Sequence, residues 1–346
     1  MRSDTPAGKE FRVGLVGAGR MGRTHLAAIE ESDAVRVAAV ADPSADARSA
    51  LASAGVAAFA SLGDLLAGAE VDGLLIAAPT DLHVQLVSEA LAAGLPVLCE
   101  KPCGLTVEQA VQCADAAAAA GLLLQVAYWR RFVPELITLR DQIASGDLGK
   151  ILAVNCYQWD AAPPPAVFRE SSGGIFVDMG VHEFDQVRWL TGQEFGTIRP
   201  AAARTSGSPD DPDCAQLVAE LDGGSLAMVS LGRWHPAGDV CRVDVYGTAG
   251  TVSCPFLRPS DADEVFRQAL RRQAEDFALA VRAAQADRAG VGTGAVIADA
   301  VAALTVARIA ADLLSADLPG ADLPGADLPG ADLPGADTAA LNEGDR

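Results

Sequence analysis

Positive charge is in short supply in this chain. Against 46 Asp and Glu there are 26 Lys and Arg, a formal net charge of −20. Phosphate-rich surfaces would repel such a protein, which excludes nucleic acids and anionic membranes as natural partners. Residues 316–346 account for −6 of that charge and leave the body at −14, still acidic. No apolar run approaches the ~20 residues of a membrane-spanning helix. The opening MRSDTPAGKEFR lacks the apolar centre of a secretory signal. The seven cysteines (99, 103, 113, 156, 214, 241 and 254) form no C-x-x-C and no Cys/His cluster with zinc spacing. No metal is therefore expected, and the thiols read as those of a reducing compartment, the cytoplasm. Aromatic residues make up only 5% of the chain while hydrophobic residues reach 50%. An Ala/Val/Leu-rich globular protein follows, and 346 residues suit two domains.

What is present begins with the stretch from Val13 to Asp42. An apolar run (Val13, Leu15, Val16) ends in Gly17-Ala18-Gly19-Arg20-Met21-Gly22; a helical pattern and a second apolar run, Val35 to Val40, follow. In a G-x-G-x-x-G turn, Gly17 permits the tight exit from the strand and Gly19 lets a pyrophosphate approach the backbone. Gly22 lets the helix lie close on the strand. The helix then points free N–H groups and its positive end at the phosphate. Asp42 falls where the second strand should end, and a carboxylate there accepts the ribose hydroxyls and repels a 2′-phosphate. The expected cofactor is NAD in preference to NADP, although Pro43 after Asp42 can reshape the ribose loop.

Downstream, strand and helix patterns alternate. Val71–Ala78 is a continuous apolar run that stops at Pro79-Thr80, residues 81–93 read as a helix, and Leu95–Cys99 runs into Glu100-Lys101-Pro102. Such alternation predicts a doubly wound parallel sheet of the Rossmann type over residues 11–127. Ligands of such sheets sit beyond the carboxyl ends of the strands, which brings Gly17–Gly22, Asp42, Pro79, Thr80, Glu100 and Lys101 to one crevice. After Tyr128 the pattern changes. A strand at Ile151–Trp159 and four alternating runs (197–204, 214–221, 225–232 and 240–247) predict a mostly antiparallel, open-faced sheet. Helices at 263–286 and 295–314 complete an α+β domain over 128–314. Residues 1–10 read as a flexible leader. From Ala316 to Gly335, Ala-Asp-Leu-Pro-Gly occurs four times in tandem; Pro and Gly in every copy rule out regular helix or strand, so 315–346 read as a disordered acidic tail.

Asp178, His182 and Asp185 are spaced i, i+4, i+7, which stacks them on one face of a helix. Such groups need either one another or a polar ligand, and spacing alone leaves both readings open. Lys101, in the same crevice as the glycine loop, favours the ligand.

Taken together, GAGRMG, Asp42, EKP at Glu100–Pro102 and GGIFVDMGVHEFDQVRWLTG resemble the Gfo/Idh/MocA oxidoreductases over roughly residues 11–314. The resemblance implies a Rossmann domain followed by an open-faced sheet used for substrate and oligomer contacts. It implies Lys101, Asp178 and His182 as the catalytic set, with Asp185 touching substrate or supporting His182. In the mechanism expected here, His182 takes a carbinol proton, Asp178 orients the imidazole and Lys101 donates to the same oxygen. His83 matches a family position near the cofactor edge, a structural role being the alternative. Arg131, Trp159 and His235 are candidate substrate contacts; His235 could equally serve a subunit interface, and the Tyr128–Arg131 run could be no more than an aromatic hinge. The implied reaction is hydride transfer between NAD and a polyol or sugar carbinol, with inositol-type cyclitols favoured. The alternatives are a keto-sugar or nucleotide-sugar reductase, or a non-catalytic NAD-sensing regulator. A homo-oligomer, dimer or tetramer, is expected.

Overall fold

A computed structural model describes residues 10–203, 211–286, 292–316 and 321–322. The leader and most of the repeat tail, on which two of the expectations above fall, lie outside the described residues.

Two sheets organise the chain. The first is built from β1 (Phe11–Val16), β2 (Val35–Ala41), β3 (Ala58–Phe59), β4 (Gly73–Ile76), β5 (Val97–Cys99) and β6 (Leu124–Val126), all parallel, in the order β6-β5-β4-β1-β2-β3. Every residue of β4, β5 and β6 is buried, as strands covered on both faces require. Truncating one such side chain, Leu74 for instance, would cost about 2–5 kcal/mol. The crossover helices are α1 (Arg20–Ile29), α2 (Ala45–Ser53), α3 (Leu62–Gly68), α4 (His83–Ala92) and α5 (Val107–Ala120). Local chemistry fixes their starts: Ser44 and Ser61 accept N-terminal N–H groups of α2 and α3, and Thr106 with Gln109 forms a capping box on α5.

The second sheet follows α6 (Pro134–Ala144). It contains β7 (Ile151–Trp159), β8 (Phe195–Ala203), β9 (Cys214–Leu221), β10 (Leu226–Gly232), β11 (Val240–Gly247) and β12 (Thr251–Leu257), in the order β12-β11-β7-β10-β9-β8. Among the described residues of this sheet, only β7 and β10 pair in parallel. Between β7 and β8 run the short α7 (Ala166–Ser171), a π-helical turn Phe176–Gly180 and α8 (Val181–Thr191), which covers one face of this sheet. Ala321–Asp322 adds a two-residue antiparallel pairing to β8.

The last two helices join the two halves. In α9 (Ala262–Gln285), Phe277 meets Phe11 of β1 edge to face at 5.9 Å. Between them and α10 (Ile297–Ser315), β13 (Ala295–Val296) pairs antiparallel with β6 and so adds a seventh strand to the first sheet. The chain therefore returns across the expected division at residue 127, and α10 touches both α5 and α8.

Candidate active site

The glycine loop has the shape its residues dictate. Gly17 has φ +96°, a left-handed value, and a Cβ there would lie 2.7 Å from the Ala77 carbonyl oxygen. A Cβ on Gly22 would strike the Gly17 carbonyl at 1.9 Å, so the start of α1 can lie on the loop only without a side chain. Gly19 faces open space, with no atom within 4 Å of its Cβ position, and it begins α1 without any side-chain cap. The orphan N–H groups of Arg20, Met21 and Gly22 are thus free to receive an anion. Asp42, immediately after β2, folds back over this loop: its Oδ2 accepts the Ala18 N–H at 2.6 Å and its Oδ1 the Ser44 N–H at 2.8 Å. Each oxygen keeps a lone pair for a ribose hydroxyl. These residues fit a nicotinamide dinucleotide, with the pyrophosphate on Gly17–Gly22 and the ribose at Asp42.

Pro79 and Thr80 leave β4 beside this loop, and His83 ties them to the EKP segment. Buried, it directs Nδ1 to the Pro102 carbonyl (2.8 Å) and Nε2 to the Ala78 carbonyl (2.9 Å). Glu100 is also committed within the protein. One carboxylate oxygen meets His25 Nε2 of α1 at 2.7 Å and the other accepts the Lys101 N–H at 3.1 Å. His25 holds Glu100 ionised, its pKa below the usual range despite the opposing effect of burial. His83 and Glu100, both assigned to the cofactor from sequence, therefore lock together the loops that would hold it.

Lys101, at the end of β5, crosses to the second domain. Its ammonium donates to the Asp178 carbonyl oxygen at 2.6 Å and to Asp178 Oδ1 at 3.3 Å. His182 stands at the start of α8, with Tyr128 and Trp129 edge-on at ring separations of 5.8 and 6.4 Å. Its Nδ1 is buried without a hydrogen-bond partner. Burial, reinforced by the charges of Lys101 and Arg130, pushes the His182 pKa well below its ordinary 6.5, so the ring is neutral at physiological pH.

One sequence expectation needs correction. Asp178 makes no hydrogen bond to His182; its carboxylate is taken by Lys101 and by Arg233, whose Nη1 donates to Oδ2 at 3.1 Å. Spacing of i, i+4 stacks two side chains only in a uniform α-helix. Residues Phe176–Gly180 instead form a π turn, entered through Gly173 and Gly174 at φ +82° and +85°, and the wider turn rotates Asp178 out of register with α8.

Asp185 and Arg131 are joined to each other, at 2.5 and 3.0 Å, and Asp299 adds a further carboxylate at 3.1 Å to Arg131. Trp159 donates its indole N–H to Ser230 at 3.1 Å. Strand alternation puts it on the opposite face from Gln158, which meets Arg130 on the α8 side. His235, after β10, directs Nδ1 to the Gly238 carbonyl at 2.5 Å and donates its N–H to the Asp160 carbonyl at 2.8 Å. These four candidates are thus held by other protein groups, Lys101 and His182 not among them. Arg233, two residues before His235, carries no sequence signal that singles it out, while the Tyr128–Arg131 run, readable either as a hinge or as a source of a pocket aromatic, sets Tyr128 and Trp129 around His182. Asp160, which the sequence offers beside Trp159 as a polyol contact, has its pKa raised by burial and by its neighbours Asp239 and Asp178.

A phosphate-binding loop facing a lysine beside a neutral, desolvated imidazole defines a nicotinamide-dependent oxidoreductase. Residues 11–128 match the oxidoreductase family with an NAD-binding Rossmann fold, and residues 136–253 match the GFO/IDH/MocA C-terminal domain. The rhizopine catabolism protein MocA of Rhizobium meliloti is 51% identical over 84% of this chain and 90% of its own length. Inositol 2-dehydrogenase of R. meliloti strain 1021 is 32% identical over 72% of this chain and 76% of its own. The solved scyllo-inositol dehydrogenase of Lactobacillus casei, carrying NAD(H) and scyllo-inositol, shares the fold with a TM-score of 0.79. It is 22% identical and covers 91% of this chain and 99% of its own. The chain belongs to the Gfo/Idh/MocA family and is an NAD-dependent dehydrogenase acting on CH–OH groups. Residues 309–337 also match the pentapeptide-repeat family, a span that begins inside α10. Among the described residues no helix is long and apolar enough to cross a membrane.

Proposed function

We propose that the chain oxidises a ring hydroxyl of a cyclitol of the myo- or scyllo-inositol type with NAD. The observation that carries this reading is His182, kept neutral in an aromatic box beside the Lys101 ammonium. A neutral imidazole is ready to take a hydroxyl proton, and its low basicity lets it return the proton when the reaction reverses. Lys101 compensates by donating to the same oxygen and stabilising its growing negative charge. Asp178 holds Lys101 in place through a backbone and a side-chain contact. The bound nicotinamide supplies the hydride chemistry. The cyclitol assignment draws support from the names of the inositol dehydrogenase relatives.

Homo-oligomerisation belongs to the same proposal. Val218 of β9, Leu226 of β10 and Tyr246 of β11 stand 40–50% exposed on one face of the second sheet, β7 lying between the last two, a surface suited to a second copy.

The test is NADH formation, followed by absorbance, from NAD and from NADP against a panel of cyclitols and aldoses, with the corresponding ketones offered to NADH in reverse. Turnover of a cyclitol with NAD is expected. Tight NAD binding without turnover in either direction would sink the proposal and favour a sensor, and turnover of keto-sugars alone would favour a reductase.

A further inference from the structure

Arg233 is the largest fully buried side chain among the described residues, at 0% exposure. It leaves the end of β10 with its own N–H on the Asp213 carbonyl at 2.8 Å, and its guanidinium spans two carboxylates. One fork arm donates to Asp178 Oδ2 at 3.1 Å and the other to Asp211 Oδ1 at 3.2 Å. Asp211 is in turn gripped by Arg169 of α7, through Nε to Oδ2 at 2.6 Å and through Nη2 to the Asp211 carbonyl at 2.5 Å. Arg169 also lies 3.3 Å from Asp213. Lys101, Arg233 and Arg169 thus alternate with Asp178, Asp211 and Asp213, and the charges balance.

This arrangement does more than neutralise Asp178. The aspartate sits in a π turn, a distortion that recurs at functional sites. Lys101 contacts one carboxylate oxygen at only 3.3 Å, a loose bond for a charged pair. The second oxygen is fixed by Arg233, which is itself fixed from behind by Asp211. Removing a cation from so buried a chain would leave an unbalanced carboxylate free to turn further onto Lys101. Lysine could not replace the fork, since a single ammonium does not reach two carboxylates in a planar geometry.

We infer that Arg233 is a positioning residue: anchored by Asp211, it sets the direction of the Asp178 carboxylate and through it the place of the Lys101 ammonium over the reacting oxygen. The inference rests on the proposed role of Lys101. It predicts a loss in turnover without a loss in cofactor binding, transmitted entirely through Asp178.

The experiment compares Arg233→Lys and Asp211→Asn with wild type, each also in an Asp178→Asn background, measuring kcat, KM for NAD and Tm. Arg233→Lys should lower kcat by about 100-fold, the scale of a small misplacement of a reacting group, with KM for NAD little changed. Asp211→Asn should do the same to a smaller degree, and neither should lower kcat further once Asp178 is Asn. A second readout is independent of turnover. The chain has three lysines, Lys9, Lys101 and Lys150, so 13C-dimethyl labelling gives three lysine NMR signals beside that of the N-terminal amine, and Arg233→Lys adds one more. The Lys101 signal should move in Arg233→Lys and in Asp178→Asn. Equal losses of kcat in both backgrounds, an unmoved Lys101 signal, or parallel losses of Tm, NAD affinity and kcat would overturn the inference. So would failure of both variants to fold. A wild type that turns over no substrate, with the Lys101 signal still shifting as expected, would count against the cyclitol reading alone.

Discussion

Two chains of buried charge leave the same helical segment in opposite directions. From Asp178 one runs through Lys101 on the first domain and Arg233 on the second. From Asp185 the other runs to Arg131, Asp299, Arg188 and Glu194. They are alike in composition and differ in where they end. The Asp178 chain opens onto the crevice at Lys101, whose side chain is 20% exposed, whereas the Asp185 chain is enclosed at Asp185 and Arg131 (2% and 7% exposed) and surfaces only at Asp299 of α10 and Glu194 before β8 (26% and 27%), not at the glycine loop. A charged group that terminates at a ligand cavity can act on what binds there; one enclosed by its own counter-ions holds helices together. Residue type and spacing alone do not separate the two cases.

Breaking the open chain at its end should have the largest effect. Lys101→Met and His182→Ala should each reduce kcat by about 1000-fold or more, as loss of an oxyanion donor or a general base does. NAD titrations should be nearly unchanged, because the glycine loop and Asp42 are untouched. The closed chain should respond in the other currency. Asp185→Asn should cost about 3 kcal/mol of stability by unbalancing buried Arg131, seen as a Tm lower by several degrees, while kcat of the folded protein stays within a few-fold of wild type.

The glycine loop, outside both chains, offers a sharper separation. Asp42→Ser should shift the NAD/NADP preference towards NADP by roughly 10- to 100-fold, the worth of one or two hydrogen bonds to a charged group. Competition between the two cofactors in kcat/KM would read this directly.

The smallest effect concerns pH. The His182 pKa lies below 6.5 in the folded protein and near 6.5 in the unfolded chain, so the unfolded state binds the proton first. Its contribution to stability is complete above pH 6.5 and declines as the pH falls through 6.5 towards the folded-state value, by at most about 1.4 kcal/mol per pH unit. A profile of Tm against pH that is flatter for His182→Gln than for wild type below pH 6.5 would bear this out.

What could be read from the sequence follows the same division. The glycine loop was legible because its requirements are local: a left-handed Gly17, an open Gly19 and a Gly22 seated on the Gly17 carbonyl. The alternation of strands and helices, and the presence of Lys101 and His182 at the crevice, came from motif order. β12 escaped notice because Pro255 interrupts its pattern, and the structure places it at a sheet edge, where proline is tolerated. The pairing of Asp178 was misjudged because a period of 3.6 residues was carried through a π turn. Asp185–Arg131 and Asp178–Arg233 span 54 and 55 residues of sequence, and no local rule connects such partners.

In the proposed function Asp178 serves chemistry, and Asp185 serves the fold. Stopped-flow NADH formation for Asp178→Asn, Asp185→Asn and wild type, run beside thermal unfolding of the same samples, tests it most directly. Slow hydride transfer is expected for Asp178→Asn, beyond any loss of Tm from unbalancing Arg233, and near-normal transfer with a lowered Tm for Asp185→Asn. Equal loss of hydride transfer in the two variants would contradict it.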